Sequence, residues 1–144
     1  MSLFSNRGFS LIELMIVLAI GAIIAAIAVP PYRDYVLRAR IPKATSTLAS
    51  LAMRLEQNYQ DNHAYGSSTA CSIAMPDDEF FTFTCVAQNS GQSFLLTAMG
   101  KGAGDLSEFT FTLDQNGNAK TTQLPPAWGK TPADCWIVKR GAAC

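Results

Sequence analysis

The sequence predicts an α+β chain in which one long N-terminal helix is followed by a small four-stranded antiparallel sheet. Three observations predict it. Of the 21 residues from Phe9 to Val29, 18 are hydrophobic. Apolar residues then recur at helical spacing as far as Tyr59. Beyond Asn62 short aromatic runs alternate with threonine, between breaks rich in Ser, Gly and Asn. The chain has 144 residues, 11 basic and 11 acidic side chains, and a charged content of 15%, below the roughly 25% of an average soluble domain. That length holds one modest domain. Its balanced charge argues against a protein that grips nucleic acid through a general basic surface.

The apolar run reaches the roughly 20 residues that cross a bilayer as a helix. A cleaved secretory signal is the competing reading, with Arg7 as its basic start and Ala25, Ala26 and Ala28 imitating a cleavage site; the run exceeds the usual apolar length of roughly 7–15 residues. Arg7 precedes the run, while Arg33, Arg38, Arg40 and Lys43 follow it. That count alone places the C-terminal part in the cytoplasm. Glu13 is the one charge inside the run. A carboxylate at the centre of a membrane helix costs about 2.5–3.5 kcal/mol and is a functional candidate by default, although near the end of a span it reaches the headgroups at little cost.

The stretch Arg7-Gly8-Phe9-Ser10-Leu11-Ile12-Glu13-Leu14-Met15-Ile16-Val17 closely resembles the class III signal of type IV pilins and their pseudopilin relatives. The resemblance implies that a prepilin peptidase cuts on the cytoplasmic side after Gly8, removing residues 1–8 as a leader, and that Phe9 is N-methylated. The hydrophobic helix, residues 9–30, then stays on the mature protein. Phe9, Glu13 and Pro30 become assembly residues, the Glu13 carboxylate of one subunit pairing with the Phe9 ammonium of its neighbour. Two charges that are costly alone in an apolar core become tolerable as a pair, and removing one strands the other.

Pro30 fits the resemblance as a helix-weakening proline, and with Pro31 it predicts a bend or local melting. Residues 31–61 read as an amphipathic helix. Tyr32, Tyr35, Val36 and Ala39 recur at helical spacing, as do Leu48, Leu51, Ala52, Leu55 and Tyr59 after Pro42. One interrupted helix over 9–61 extends roughly 80 Å. Arg33, Arg38, Arg40 and Lys43 read as a solvated face that touches anionic headgroups or acidic patches of adjacent subunits. A nucleic-acid contact is the sharper alternative for this cluster, disfavoured because no interleaved aromatic platform accompanies it.

Residues 62–144 form the head. Strands are expected at Phe80 to Gln88, Ser93 to Met99, Phe109 to Leu113 and Ala119 to Gln123, with Asn116-Gly117 in a tight type I′ turn between the last two. The product is a four-stranded meander whose aromatic face lies on Leu48, Leu51, Leu55 and Tyr59. All four cysteines, Cys71, Cys85, Cys135 and Cys144, lie in the head. An even number beyond a membrane segment reads as two disulfides in an oxidising compartment, with three pairings open. Nearest-neighbour pairing favours Cys71 with Cys85 and Cys135 with Cys144, and the second pair resembles the disulfide-closed loop near the end of many type IV pilins. An oxidised head is periplasmic or extracellular, which overrides the flanking-charge count. The spacing has no Cys-x-x-Cys knuckle and His63 is remote, so no metal is expected. Asp134-Cys135-Trp136 weakly resembles the ending of some type IVa and minor pilins, and Trp136 reads as a packing anchor under the loop.

No residue set supports catalysis, and no cofactor is expected. Asp77-Asp78-Glu79 reads as a solvated loop. Gly100 to Asp105 lacks the Gly-Lys-Ser/Thr ending of a phosphate loop. Asp114 to Asn118 has its glycine at the fourth position, whereas an EF-hand loop needs it at the sixth. The resemblance implies a structural subunit of a type IV pilus, held in the inner membrane with a periplasmic head and then polymerised into an extracellular filament that serves adhesion, twitching motility and DNA uptake. Its partners are then other pilin subunits, the prepilin peptidase, the inner-membrane assembly platform and, before assembly, lipid. The alternatives are a minor pilin that binds DNA through Lys130, Lys139 and Arg140, and a type II secretion pseudopilin.

Overall fold

The computed structural model describes residues 9–67, 69–102 and 106–144, and of residues 28–31 and 33 the backbone alone. The leader, with the cleavage position Gly8, lies outside the described residues. So do residues 103–105 of the glycine-rich segment.

Helix α1 spans Leu11–Asn62. Ser10 starts it. The Glu13 N–H donates to Ser10 Oγ (3.2 Å) and the Leu14 N–H to the Ser10 carbonyl (3.2 Å), so a hydroxyl takes one of the donors that a helix start leaves unpaired. The helix runs through Pro30, Pro31 and Pro42 without interruption, and the local melting expected at the first pair does not occur. Each proline removes one donor and crowds one turn, while the hydrogen bonds of the turns on either side persist.

The chain divides after Val36 into two compact units. In the first, every described side chain of Leu11–Ile27 is exposed around the whole helix. Such a surface is apolar on all sides and needs another apolar phase around it.

The second unit, Leu37–Cys144, contains the core. Its stretch of α1 buries Leu37, Ile41, Ala44, Leu48, Leu51 and Leu55, spaced alternately three and four residues apart as one helix face requires. Tyr59, expected on the same stripe, is half-buried and its hydroxyl donates to Gln92 Oε1 at 2.9 Å.

Four strands follow: β1 Phe81–Gln88, β2 Ser93–Gly100, β3 Thr110–Asp114 and β4 Ala119–Gln123. They form an antiparallel meander in the order β1-β2-β3-β4. Phe81, Phe83 and Ala87 are buried while Thr84, Val86 and Gln88 are exposed, the period-two pattern of a sheet covered on one face. Phe94, Leu96 and Ala98 of β2, with Phe111 and Leu113 of β3, complete that face against the helix stripe.

The β3 to β4 connection differs from expectation. Four residues intervene, and Gly117 is at φ +76° whereas Asn116 is not in the left-handed region, so the turn is not type I′. The cause is Asp114. Its Oδ1 accepts the Asn116 and Asn118 N–H groups (2.9 Å each) and its Oδ2 accepts Asn118 Nδ2 (2.8 Å), so the carboxylate organises a wider loop.

Candidate functional site

Two regions carry candidate functional residues, and each lies within one unit. The first is the helix start. Phe9 is 81% exposed, and Glu13 lies in the first turn, exposed. There the carboxylate lies at the positive end of the helix dipole. A charged acid close to the chain position that would become an amine after removal of residues 1–8 is the chemistry that a head-to-tail ion pair needs. The side chain of Pro30 lies outside the described residues. Among the described residues no helix is long and apolar enough to cross a membrane. With the side chains of 28–31 outside the description, the apolar run seen in full is Leu11–Ile27.

The second region is the C-terminal loop. Cys135 and Cys144 are joined, as are Cys71 and Cys85. Thr121, 0% exposed, holds the loop to the sheet. Its Oγ1 donates to the Cys135 carbonyl (2.7 Å) and accepts the Ile137 N–H (2.9 Å), and its backbone exchanges two hydrogen bonds with Ala133. The Gly141 N–H donates to the Trp128 carbonyl (3.0 Å), which brings the chain near Lys130 against the turn that carries Lys139 and Arg140. All three cations are exposed. Lys120 pairs with Asp134 at 3.3 Å.

Trp136 is half-buried, and its indole N–H donates to the Thr112 carbonyl (3.0 Å). Trp136 packs against the core as expected, and a second, more deeply buried anchor is Trp128, 1% exposed and edge-on to Phe109 at 4.9 Å. Neither the cysteine pattern nor a short motif marks Trp128. Its aromatic partner, nineteen positions away in sequence, is visible only after folding.

The basic cluster is partly used inside the head. The Arg40 guanidinium lies 4.1 Å from the centroid of Phe80, and Lys43 Nζ lies 5.7 Å from it. Lys43 forms an ion pair with Asp78. Asp78 therefore does not belong to a solvated loop. Its Oδ1 also accepts the Phe80 and Phe81 N–H groups (2.8 and 3.0 Å), and Lys101 Nζ donates to its carbonyl (2.6 Å). Burial pushes the Asp78 carboxyl up, but the Lys43 ammonium and the two amides outweigh it and hold the group below its ordinary value. Asp114 behaves alike: burial raises it, and the Asn118 and Asn116 donors lower it further than that. Among the described residues no group of His, Cys, Asp and Glu could hold a metal ion.

Comparison with known proteins places these features in context. The family model described as type IV minor pilin ComP, DNA uptake sequence receptor, matches residues 30–118, and the prokaryotic N-terminal methylation motif matches residues 3–29. A fimbrial protein of Pseudomonas aeruginosa is 31% identical over 153 residues, covering 91% of this chain and 97% of that protein. A type IV major fimbrial protein FimA of Dichelobacter nodosus is 40% identical over 76 residues, 51% of this chain and 48% of that protein. The solved structure of a type IV pilin from Shewanella oneidensis has the same fold, with a TM-score of 0.50 and 22% identity over 58% of this chain and 89% of that one.

Proposed function

This chain belongs to the type IV pilin family, and from that premise we propose that it is cut after Gly8, methylated at Phe9, and polymerised through its N-terminal helix into a surface filament. The observation that carries the reading is the all-round apolar helix from Leu11 to Ile27 with a single carboxylate, Glu13, in its first turn. Apolar burial between neighbouring helices supplies cohesion. The Glu13 carboxylate and the Phe9 ammonium of a neighbour supply register, because each charge is costly in that core without the other. Before assembly the same helix resides in the inner membrane with the head on the oxidising side, and the peptidase and assembly platform are its partners there.

Mass spectrometry of filaments sheared from the cell surface tests this. The expected result is a peptide that begins at N-methylated Phe9, and its abundance relative to the filament separates a bulk subunit from a minor one. Absence from sheared filaments despite processing in the membrane would make the chain a pseudopilin.

A second reading, a minor pilin that binds DNA, is favoured by one observation: the family model matched over residues 30–118 is described as a DNA uptake sequence receptor. Lys130, Lys139 and Arg140 lie beyond the matched residues, so they are a separate candidate. If they contact phosphates, a gel shift with the full chain in detergent shows binding that weakens with salt, and Lys139→Gln with Arg140→Gln reduces the salt slope by about one unit per lost contact. Binding unchanged by both substitutions removes these residues from the reading.

A further inference from the structure

Residues 65–67 and 69–78 form a strap along the outer edge of β1, tied at three points. At one end the Tyr65 N–H donates to the Gly91 carbonyl (2.8 Å). Here the Gly66 and Gly91 backbones approach so closely that a Cβ on Gly91 would stand 2.4 Å from the Gly66 carbonyl oxygen. In the middle Cys71 is bonded to Cys85, their Cα atoms 5.7 Å apart. At the other end Asp78 Oδ1 accepts the Phe81 N–H (3.0 Å). Residue numbers rise along this strap as they fall along β1, so it occupies the place of an antiparallel fifth strand.

It does not act as one. The Lys101 N–H donates to the Phe80 carbonyl (2.7 Å), and with Phe81 opposite Gly100 the hydrogen-bonded pairs of the β1–β2 ladder fall at Thr82, Thr84, Val86 and Gln88. The N–H and C=O groups of Phe83, Cys85 and Ala87 therefore point away from β2. Among the described residues no backbone hydrogen bond joins them to the strap. Ile73 and Met75 pack the strap against the core, which holds it to the interior without pairing the edge. The opposite edge of the sheet is treated differently, because Thr121 of β4 exchanges hydrogen bonds of 2.9 and 3.0 Å with Ala133.

An edge strand with unpaired backbone groups, no charge and no proline is a template for another strand. None of the eight residues of β1 is charged or proline, and the outward backbone groups of Phe83, Cys85 and Ala87 are the unpaired ones. We propose that the outer edge of β1 is a latent strand-pairing surface, that its occupant is β1 of a second copy of this chain in an antiparallel two-fold arrangement, and that the disulfide-held strap closes it. Backbone donors and acceptors alternating along an edge are matched by an extended strand. A two-fold axis at Cys85, the middle of the three outward-facing residues, sets Thr84 of one copy opposite Val86 of the other, where charges of one sign would repel across the axis; β1 has none. The same axis sets the acidic Asp77 and Glu79 end against the uncharged turn at 88–92 of the second copy. A chain in which Cys71 and Cys85 are unjoined pairs through β1, and a chain in which they are joined does not. The inference does not depend on the filament reading.

The test is sedimentation of the full chain in detergent, with Cys71→Ala and Cys85→Val introduced together. The valine suits a strand, and Cys135–Cys144 stays intact. The expected result is a doubling of protein mass at concentrations where the parent is monomeric, reversed by adding Thr84→Lys and Val86→Lys, which put like charges across the axis. A double variant that keeps the near-ultraviolet signature of buried Trp128 and stays monomeric overturns the proposal, as does association that the lysines leave unchanged. If the double variant loses that signature, Cys71→Ser, which leaves β1 unaltered, is read by the same two outcomes.

Discussion

Asp78 joins Lys43 on α1 to the amides that open β1. Charge-assisted hydrogen bonds of this kind are worth about 1.5–3 kcal/mol, and Asp78→Asn is expected to cost an amount in that range, measured by thermal unfolding of the full chain in detergent. Because its folded value is depressed, its contribution is present above the ordinary carboxylate range and is lost as pH falls through the folded value. The Asn variant should therefore show a flatter acid limb. Tyr65 works at the other extreme. Burial first, then the hydrogen bond to Glu56 Oε1 (2.8 Å), pushes its hydroxyl up to about 12. The folded state keeps the proton longer than the unfolded chain does, so stability is full below pH ~10 and declines toward about 12; Tyr65→Phe should remove that decline. Thr121→Val keeps shape but strands the Cys135 carbonyl and the Ile137 N–H. A loss of about 1–3 kcal/mol is expected in the same unfolding measurement.

Among the elements, the helix stripe carries the most apolar burial in the head. Leu48 is fully buried against the sheet, and Leu48→Ala should cost about 2–5 kcal/mol by chemical denaturation, whereas Met53→Ala on the exposed side should change stability little. The strands were legible to within a residue or so, since Phe81, Phe83 and Ala87 against Thr84, Val86 and Gln88 write their faces directly into the chain. Turn geometry was less legible. Asn116-Gly117 signals a reversal correctly, yet the type of turn is chosen by a carboxylate two residues earlier that accepts three donors. Competition between a dipeptide preference and a side-chain cap is settled by which hydrogen bonds the folded loop completes.

For the whole molecule, Glu13→Ala is expected to abolish filaments under the proposed assembly while leaving the head folded, because the Leu37–Cys144 unit holds its own core. Electron microscopy of sheared material together with the thermal transition of the head checks both halves. The sequence by itself determined the α+β order, the apolar helix with one acid, the strand positions and membership of the pilin family, since each is written in local periodicity or in consecutive residues. Only the tertiary structure decided that Trp128 is a second and more deeply buried anchor beside Trp136, that Thr121 holds the C-terminal loop, that Asp78 binds two elements together, and that the strap lies along β1 without pairing to it. Those facts rest on contacts between residues far apart in the chain. Which distant groups meet is fixed by packing a helix face on a sheet face and by the need of each buried polar group for a partner, and neither leaves a periodic trace in the sequence.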